Sequence, residues 1–364
     1  MLPLSLYVYD RAARACAGRR ATRLVALSTE PGGVTRVEYS VAGLRTYAPG
    51  QFAFLNIPVV SVLQWHPFSI SSPPPRRAAA PAGGRGGGAG RSGGDGAVSE
   101  RLVLLECATV THHIKAMGVG TWTQALYDLA CSVGAGPPAP AGVTVHMEGP
   151  YGRAPCDAEA RRPDGTAFDG VVLVAGGIGV TPLASLWGAA RCAAGTGGGV
   201  RVRWRLVWSA RTPSLFGAFE DALDAPCAAP DDFTVALYCT GDAAASSRLG
   251  AADSVEYYGG GTPMPRTARL LSAARASAPP QAWAGPVPAM RDVVMGRPNY
   301  CEVLRGVAAS IPPAGAAAAR GAPTRLLVWV CGPTAMRRDA EATCTAAMVD
   351  SDVTFVYADT TFCW

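Results

Sequence analysis

Residues 171–187, VVLVAGGIGVTPLASLW, are where residue types and spacing most plainly permit chemistry. An apolar run leads into Gly176, Gly177 and Gly179, and a helical pattern opens at once with Thr181 and Pro182. Glycines let a backbone approach a diphosphate. A helix N-terminus adds unpaired N–H groups and the positive end of its dipole, and proline in the first turn gives up no needed donor. The pattern predicts nucleotide binding. It departs from the G-x-G-x-x-G fingerprint, so tight strand-to-helix packing is an alternative account of the same glycines. Two more runs are odd choices for packing alone. WHPFSISS (65–72) sets His66 and Pro67 before Phe68 and then places the hydroxyls of Ser69, Ser71 and Ser72, where a barrel core would need only the ring of Phe68. VWVCGP (328–333) ends an apolar strand on Cys331, Gly332 and Pro333, and strand carboxyl ends are where open α/β sheets bind ligands. Cys331 as a small buried residue is the alternative.

Other chemistries find little support. Four histidines, His66, His112, His113 and His146, are too few and wrongly spaced for a metal cage or a pair of haems. Eleven cysteines are scattered with no C-x-x-C pair, which predicts no metal site and a reduced, cytosolic compartment. A net charge of +5 with 16% charged residues gives no argument for a polyanionic partner. The Arg-Gly-rich stretch 73–98 holds no aromatic residue on which bases could stack, so nucleic acid is not expected. No run approaches the roughly 20 apolar residues that span a bilayer, and the chain as written reads as soluble, without a transmembrane helix. Its opening, a short apolar stretch followed by Arg11, Arg14, Arg19 and Arg20, suits either a chain cut just past a membrane helix on its cytoplasmic side or an ordinary amphipathic start.

The elements that must position these residues fall into two groups. Across 22–148, six short β-rich runs lie between Gly and Pro turns: TRLVALS, GVTRVEYSV, GQFAFLNIPV, WHPFSISS, RLVLLECATV and GVTVHMEGP. That cadence predicts a small antiparallel barrel over 21–152, interrupted by a disordered excursion at 73–98. His112 and His113, just after the fifth run, read as solvated strand-end residues. From 168 to 364 continuous apolar strands alternate with helical patterns, which predicts a parallel sheet with crossover helices. Ala/Gly/Pro-rich loops are expected near 250–288 and 311–323.

The motifs WHPFSISSPP (65–74), MEGPYG (147–152), LVWSAR (206–211), GRPN (296–299) and VWVCGPTAM (328–336) surround the glycine turn in order, and the chain closes on an aromatic residue. This ordered set resembles the ferredoxin-NADP reductase superfamily, and within it the ferric reductase and NADPH oxidase branch. The resemblance extends from LYVYDR (6–11) to Trp364, apart from the low-complexity inserts. It implies a FAD-binding antiparallel β-barrel followed by an α/β Rossmann-like NADPH-binding domain, with residues 1–20 as a juxtamembrane-like segment. It also implies hydride transfer from NADPH to FAD and single-electron steps onward to haems in a membrane domain that this chain lacks, or to a separate acceptor. Ferric chelate or oxygen would be the terminal acceptor, and the module would work at the cytosolic face of a membrane.

By the same resemblance His66 and Pro67 lie near the FAD phosphates, Phe68 against the flavin or its ribityl-adenosine part, and Ser69 near flavin N5. Lys115, Gly120, Trp122 and Thr123 form a second FAD-phosphate element. Gly176, Gly177, Gly179, Thr181 and Pro182 cradle the NADPH pyrophosphate, while Ser209, Arg211 and Arg297 recognise the adenosine 2′-phosphate. Cys331, Gly332 and Pro333 line the nicotinamide site, and Trp364 stacks over the isoalloxazine until NADPH displaces it. Oxidases of the branch carry D-G-P-F-G and V-G-A-G-I-G and finish on Phe. EGPYG, AGGIG and a Cys-Trp end stand nearer the ferric-chelate reductases, while GRPN points toward the oxidases. From a different class, a non-catalytic nucleotide-binding scaffold whose inserts bind partners is the remaining alternative.

Overall fold

Apolar residues two apart give a strand one buried face, and residues 36–41 follow that rule: Val37, Tyr39 and Val41 are each 0% exposed while Arg36, Glu38 and Ser40 between them are not buried. The structure, a computed structural model, describes residues 21–75, 108–133, 142–194, 202–223, 227–241, 293–311, 324–349 and 353–360, together with Ser5 and Tyr9. The N-terminal part holds β1 (Thr22–Glu30), β2 (Val34–Val41), β3 (Phe52–Asn56), β4 (His66–Ser69), β5 (Thr109–Lys115) and β6 (His146–Tyr151). They form two antiparallel three-stranded sheets, ordered β1-β2-β5 and β4-β3-β6. The sheets close over a core that includes Leu27, Tyr39, Leu55, Ile57, Phe68 and Ile114. Ser71 N–H to the Thr111 carbonyl (2.9 Å) joins their edges, while Ala108 N–H to the Leu44 carbonyl (2.7 Å) extends the β2-β5 pair. Helix α1 (Trp122–Val133) lays Trp122, Leu126, Leu129 and Ala130 on the same core.

Continuous apolar strands need cover on both faces. β7 (Gly170–Gly176) is such a strand: Val171, Leu173 and Ala175 enter one core while Val172 and Val174 enter another. It lies inside a six-stranded parallel sheet with β8 (Arg203–Ala210), β9 (Phe233–Cys239), β10 (Val293–Met295), β11 (Thr324–Cys331) and β12 (Val353–Thr360), ordered β10-β9-β8-β7-β11-β12. One face is covered by α2 (Val180–Ala193) and the short helices α3 (Ser214–Gly217) and α4 (Glu220–Leu223), the other by α5 (Tyr300–Ser310) and α6 (Thr334–Val349). An antiparallel barrel followed by a parallel α/β sheet is the architecture the sequence predicts. No described helix is long and apolar enough to cross a membrane.

The two parts meet where side chains are smallest. A Cβ on Gly32 would lie 2.9 Å from Leu215 Cα, one on Gly50 2.7 Å from Trp329 Cη2, and one on Gly188 3.3 Å from the Pro73 ring. Ser185 Oγ of α2 donates to the Ser72 carbonyl at 2.8 Å. Pro73, expected to open a disordered excursion, thus sits with Ser72 at the barrel's dock on α2. The remainder of 73–98 beyond residue 75, most of 1–20, all of 250–288, and 312–323 lie outside the described residues.

Two differences from the sequence pattern bear on function. β10 has three residues, too few for a pattern to reveal. β5 runs over 109–115 rather than ending at 110, which places His112 and His113 in mid-strand. Neither is a solvated end: His112 is 0% exposed, and His113 packs against the ring of Phe219 with centroids 4.4 Å apart.

Candidate functional site

The barrel side of the site starts from β4. Pairing with β3 sets Ser69 opposite Phe52 and His66 opposite Leu55. Phe68 is 6% exposed and stacks on Trp122 with centroids 5.6 Å apart, and the His66 ring lies 4.8 Å from the same indole. His66 and Phe68 thus form one aromatic cluster with Trp122, more than fifty positions further along the chain, at the start of α1. His66 Nε2 and Trp122 Nε1 are buried there, and neither finds a hydrogen-bond partner in the described structure. Burial holds the His66 pKa below its ordinary value.

Beside the cluster runs the Met117–Thr121 turn, two residues past Lys115, which pairs with Val34 at the end of β5. Gly120 has φ +89 and nothing within 4 Å of where a Cβ would stand. Thr121, not singled out by sequence, caps α1: its Oγ1 accepts from Gln124 N–H at 3.2 Å. The Thr123 hydroxyl accepts from Met117 N–H at 3.0 Å and so supports the turn. Two unsatisfied ring nitrogens beside an open glycine turn at a helix N-terminus fit a phosphate-bearing group.

On the sheet side, β7 ends at Gly176 and the chain makes one 3-10 turn, Gly177–Gly179, into α2. These glycines differ in role. A Cβ on Gly176 would stand 2.6 Å from Pro333 Cδ, and one on Gly179 2.5 Å from the Cys331 carbonyl oxygen. Gly332 is hemmed in by Met336 and by the backbone of Gly176. Those three press the turn onto the end of β11. Gly177, at φ +56 with nothing within 4 Å, is the one that presents open backbone. Its carbonyl accepts from Trp208 Nε1–H at 2.9 Å. The Thr181 hydroxyl donates to the Ile178 carbonyl at 3.1 Å, and Pro182 is buried in the first turn of α2.

Ser209 lies in register with Gly176 on the neighbouring strand, and its Oγ is buried with no partner in the described structure. That orphaned hydroxyl, beside the open face of Gly177, fits a sugar or phosphate of a dinucleotide. Arg211 follows the end of β8 and Arg297 the end of β10, both exposed on the carboxyl edge of the sheet with β9 between them. Cys331 is 1% exposed, and burial pushes its thiol up to about 12. It is a neutral thiol under the glycine turn, unsuited to act as a thiolate nucleophile. Trp364 lies outside the described residues.

Burial also pushes His112 down to about 4. The sign follows from linkage: an unfolded chain takes up this proton below about 6.5 while the folded one refuses it until about 4. The stabilisation is complete above pH 6.5 and is lost as pH falls toward 4, amounting to roughly 3 kcal/mol. Urea titrations at pH 7 and pH 4.5 should show this loss together with that of His113, which burial pushes down to about 3, and His112→Asn should remove the His112 share while leaving the rest.

Comparison with known proteins gives matches on both sides of the site. An FAD-binding domain model matches residues 20–78, and a ferric reductase NAD binding domain model matches residues 168–345. A putative respiratory burst oxidase homolog protein G of Arabidopsis thaliana is 29% identical over 195 residues, covering 51% of this chain and 18% of its own length. Probable ferric reduction oxidase 1 of Arabidopsis thaliana is 28% identical over 184 residues, covering 50% of this chain and 20% of its own. The match thus spans about a fifth of these relatives. Among solved structures, the flavohem-like FAD/NAD binding domain of nitric oxide dioxygenase from Vibrio cholerae aligns with a TM-score of 0.47 at 13% identity, over 94% of this chain and 100% of that one.

Proposed function

Because this chain belongs to the ferric reductase and NADPH oxidase family through its FAD-binding and ferric reductase NAD-binding domains, we propose that it is the dehydrogenase module of a ferric-chelate reductase. In that role it takes reducing equivalents from NADPH through FAD to a haem or ferric-chelate acceptor. The observation that carries the reading is the Ser185–Ser72 bond. It docks α2, the helix opened by the glycine turn, onto the chain three residues past Ser69, so the two cofactor sites share one body. When bound, FAD accepts hydride from nicotinamide and releases electrons singly.

The chain's own residues have positioning and electrostatic work. His66 and Trp122 direct ring nitrogens, and the Gly120 turn its backbone, at the FAD phosphates, with Lys115 supplying charge nearby. Phe68 backs this cluster and Ser69 faces the flavin. Gly177 gives the NADPH pyrophosphate open backbone, while Gly176, Gly179 and Gly332 hold the turn against the strand end. Thr181 and Pro182 shape the start of α2, Cys331 and Pro333 wall the nicotinamide side, and Ser209, Arg211 and Arg297 take the ribose and its 2′-phosphate. In this reading the electrons pass on to a haem-bearing membrane domain, with the module on the cytosolic face of that membrane. A second reading, the dehydrogenase module of an NADPH oxidase, draws on GRPN and on the burst-oxidase relative.

The test is direct. Purified chain given FAD should retain yellow flavin absorbance and reduce ferricyanide with NADPH; a colourless or inert chain overturns the assignment. Arg211→Ala should raise KM for NADPH roughly 10- to 100-fold, the worth of one charge-assisted phosphate contact, and leave KM for NADH unchanged. Equal effects on the two nucleotides would remove Arg211 from the 2′-phosphate site.

A further inference from the structure

Consecutive residues of a strand point to opposite faces, and the two histidines of β5 are separated in this way. His113 turns outward, with Nδ1 2.7 Å from Ser71 Oγ and its ring against Phe219 of the α/β domain. His112 turns into the barrel, where both ring nitrogens are engaged. Nδ1 lies 2.9 Å from the Ser69 carbonyl oxygen and Nε2 2.9 Å from the Tyr39 hydroxyl. A carbonyl only accepts, so Nδ1 carries the hydrogen; a neutral ring then accepts at Nε2 from the Tyr39 O–H. The Tyr39 ring also lies nearly parallel to the imidazole, at an interplanar angle of 7°. Tyr39 and Ser69 together fix the tautomer and the plane of this buried ring.

The bond has a mechanical purpose. β4 is a four-residue strand at the edge of the β4-β3-β6 sheet, so its ladder holds it from one side only. Ser69 is its last residue. The His112 N–H grips the Ser69 carbonyl from the β5 side, across the seam of the barrel.

We propose that His112, locked by Tyr39, is a positioning residue that sets Ser69 in place for hydride transfer to the flavin. The proposal rests on the reading of Ser69 as the flavin-facing hydroxyl. It predicts that the grip can be weakened without loss of either cofactor, and that only a side chain with a donor at the Nδ1 position can restore it.

The test uses the full chain. With nitrogen-15-labelled histidine and no FAD, NMR should show His112 as a neutral ring protonated at Nδ1, and Tyr39→Phe should shift its Nε2 resonance toward that of an unbonded nitrogen. A ring protonated at Nε2, or one indifferent to Tyr39→Phe, overturns the geometry. In the FAD-loaded chain, His112→Leu should lower kcat for ferricyanide reduction by about 100-fold, the effect of a misplacement near 1 Å, with KM for NADPH and FAD affinity unchanged. His112→Asn, whose amide N–H can stand where Nδ1–H stood, should recover most of the loss, whereas His112→Gln, which reaches the Nε2 side, should not. If His112→Leu does not fold, the Asn and Gln variants decide. Equal kcat in those two, or parallel loss of flavin and kcat, overturns the proposal. An active wild type with an undiminished His112→Leu variant sinks this proposal alone, while an inert wild type sinks it together with the functional reading beneath it.

Discussion

Gly179→Ala should give a chain that still takes up FAD but no longer oxidises NADPH at a useful rate. The added Cβ would stand 2.5 Å from the Cys331 carbonyl oxygen and 2.9 Å from its carbon, both backbone atoms of a strand paired on two sides. No side chain can rotate to make room, so the turn must lift from β11. Overpacking of this kind costs about 1–3 kcal/mol, and the lifted turn carries Gly177 out of place. Gly177→Asn is the informative contrast. At φ +56 asparagine is tolerated, and nothing obstructs it. That variant should melt nearly as the wild type does, yet raise KM for NADPH because its side chain occupies the open face. Thermal melts with steady-state kinetics on both variants separate the roles; an active Gly179→Ala chain with wild-type KM would show that the turn tolerates displacement.

The largest loss of stability is expected from Trp329→Ala. Trp329 is 2% exposed in β11, donates from Nε1 to Thr360 Oγ1 at 2.9 Å, and reaches across the junction to Gly50. Emptying a buried aromatic site costs about 3–5 kcal/mol. Removing an indole that touches both parts should also loosen their coupling. Urea unfolding followed by circular dichroism should therefore show a lower midpoint and two transitions where the wild type has one. A single transition at the wild-type midpoint would mean that the junction is held elsewhere. Trp329→Phe should fall between, since it keeps most of the packing and gives up the bond to Thr360.

These expectations divide along what a sequence can show. β7 and the glycine turn are legible because a strand buried on both faces leaves an unbroken apolar run and its exit needs residues without side chains. The barrel strands are legible from alternation, as in β2. The division of labour among the glycines is not legible: Gly176, Gly179 and Gly332 serve close packing while Gly177 and Gly120 face open space, and the letter is the same in each case. Tight strand-to-helix packing thus accounts for Gly176 and Gly179, while Gly177 keeps its face open. The joining of His66, Phe68 and Trp122 into one cluster depends on barrel closure, which no local pattern encodes. His112 and His113 follow an apolar run and stand side by side after Thr111, with no alternation to mark a face. Only the pairing of β5 with β2 shows that one imidazole belongs to the barrel and the other to the junction. Thr121 was within reach, since a threonine directly before a helical run is a strong capping signal.

The junction itself consists of places where one part has no side chain and the other fills the gap: Gly32 under Leu215, Gly50 under Trp329, Gly188 under Pro73. Each half is thus moulded to the other's bare backbone. Such halves are poor cassettes for recombination. A barrel taken from elsewhere, bearing even an alanine at one of these turns, would be held off the sheet, and an α/β domain grafted onto it would lack the seat on which Ser185 meets Ser72. The fit of the two parts would then change by paired substitutions across the seam rather than by exchange of whole domains.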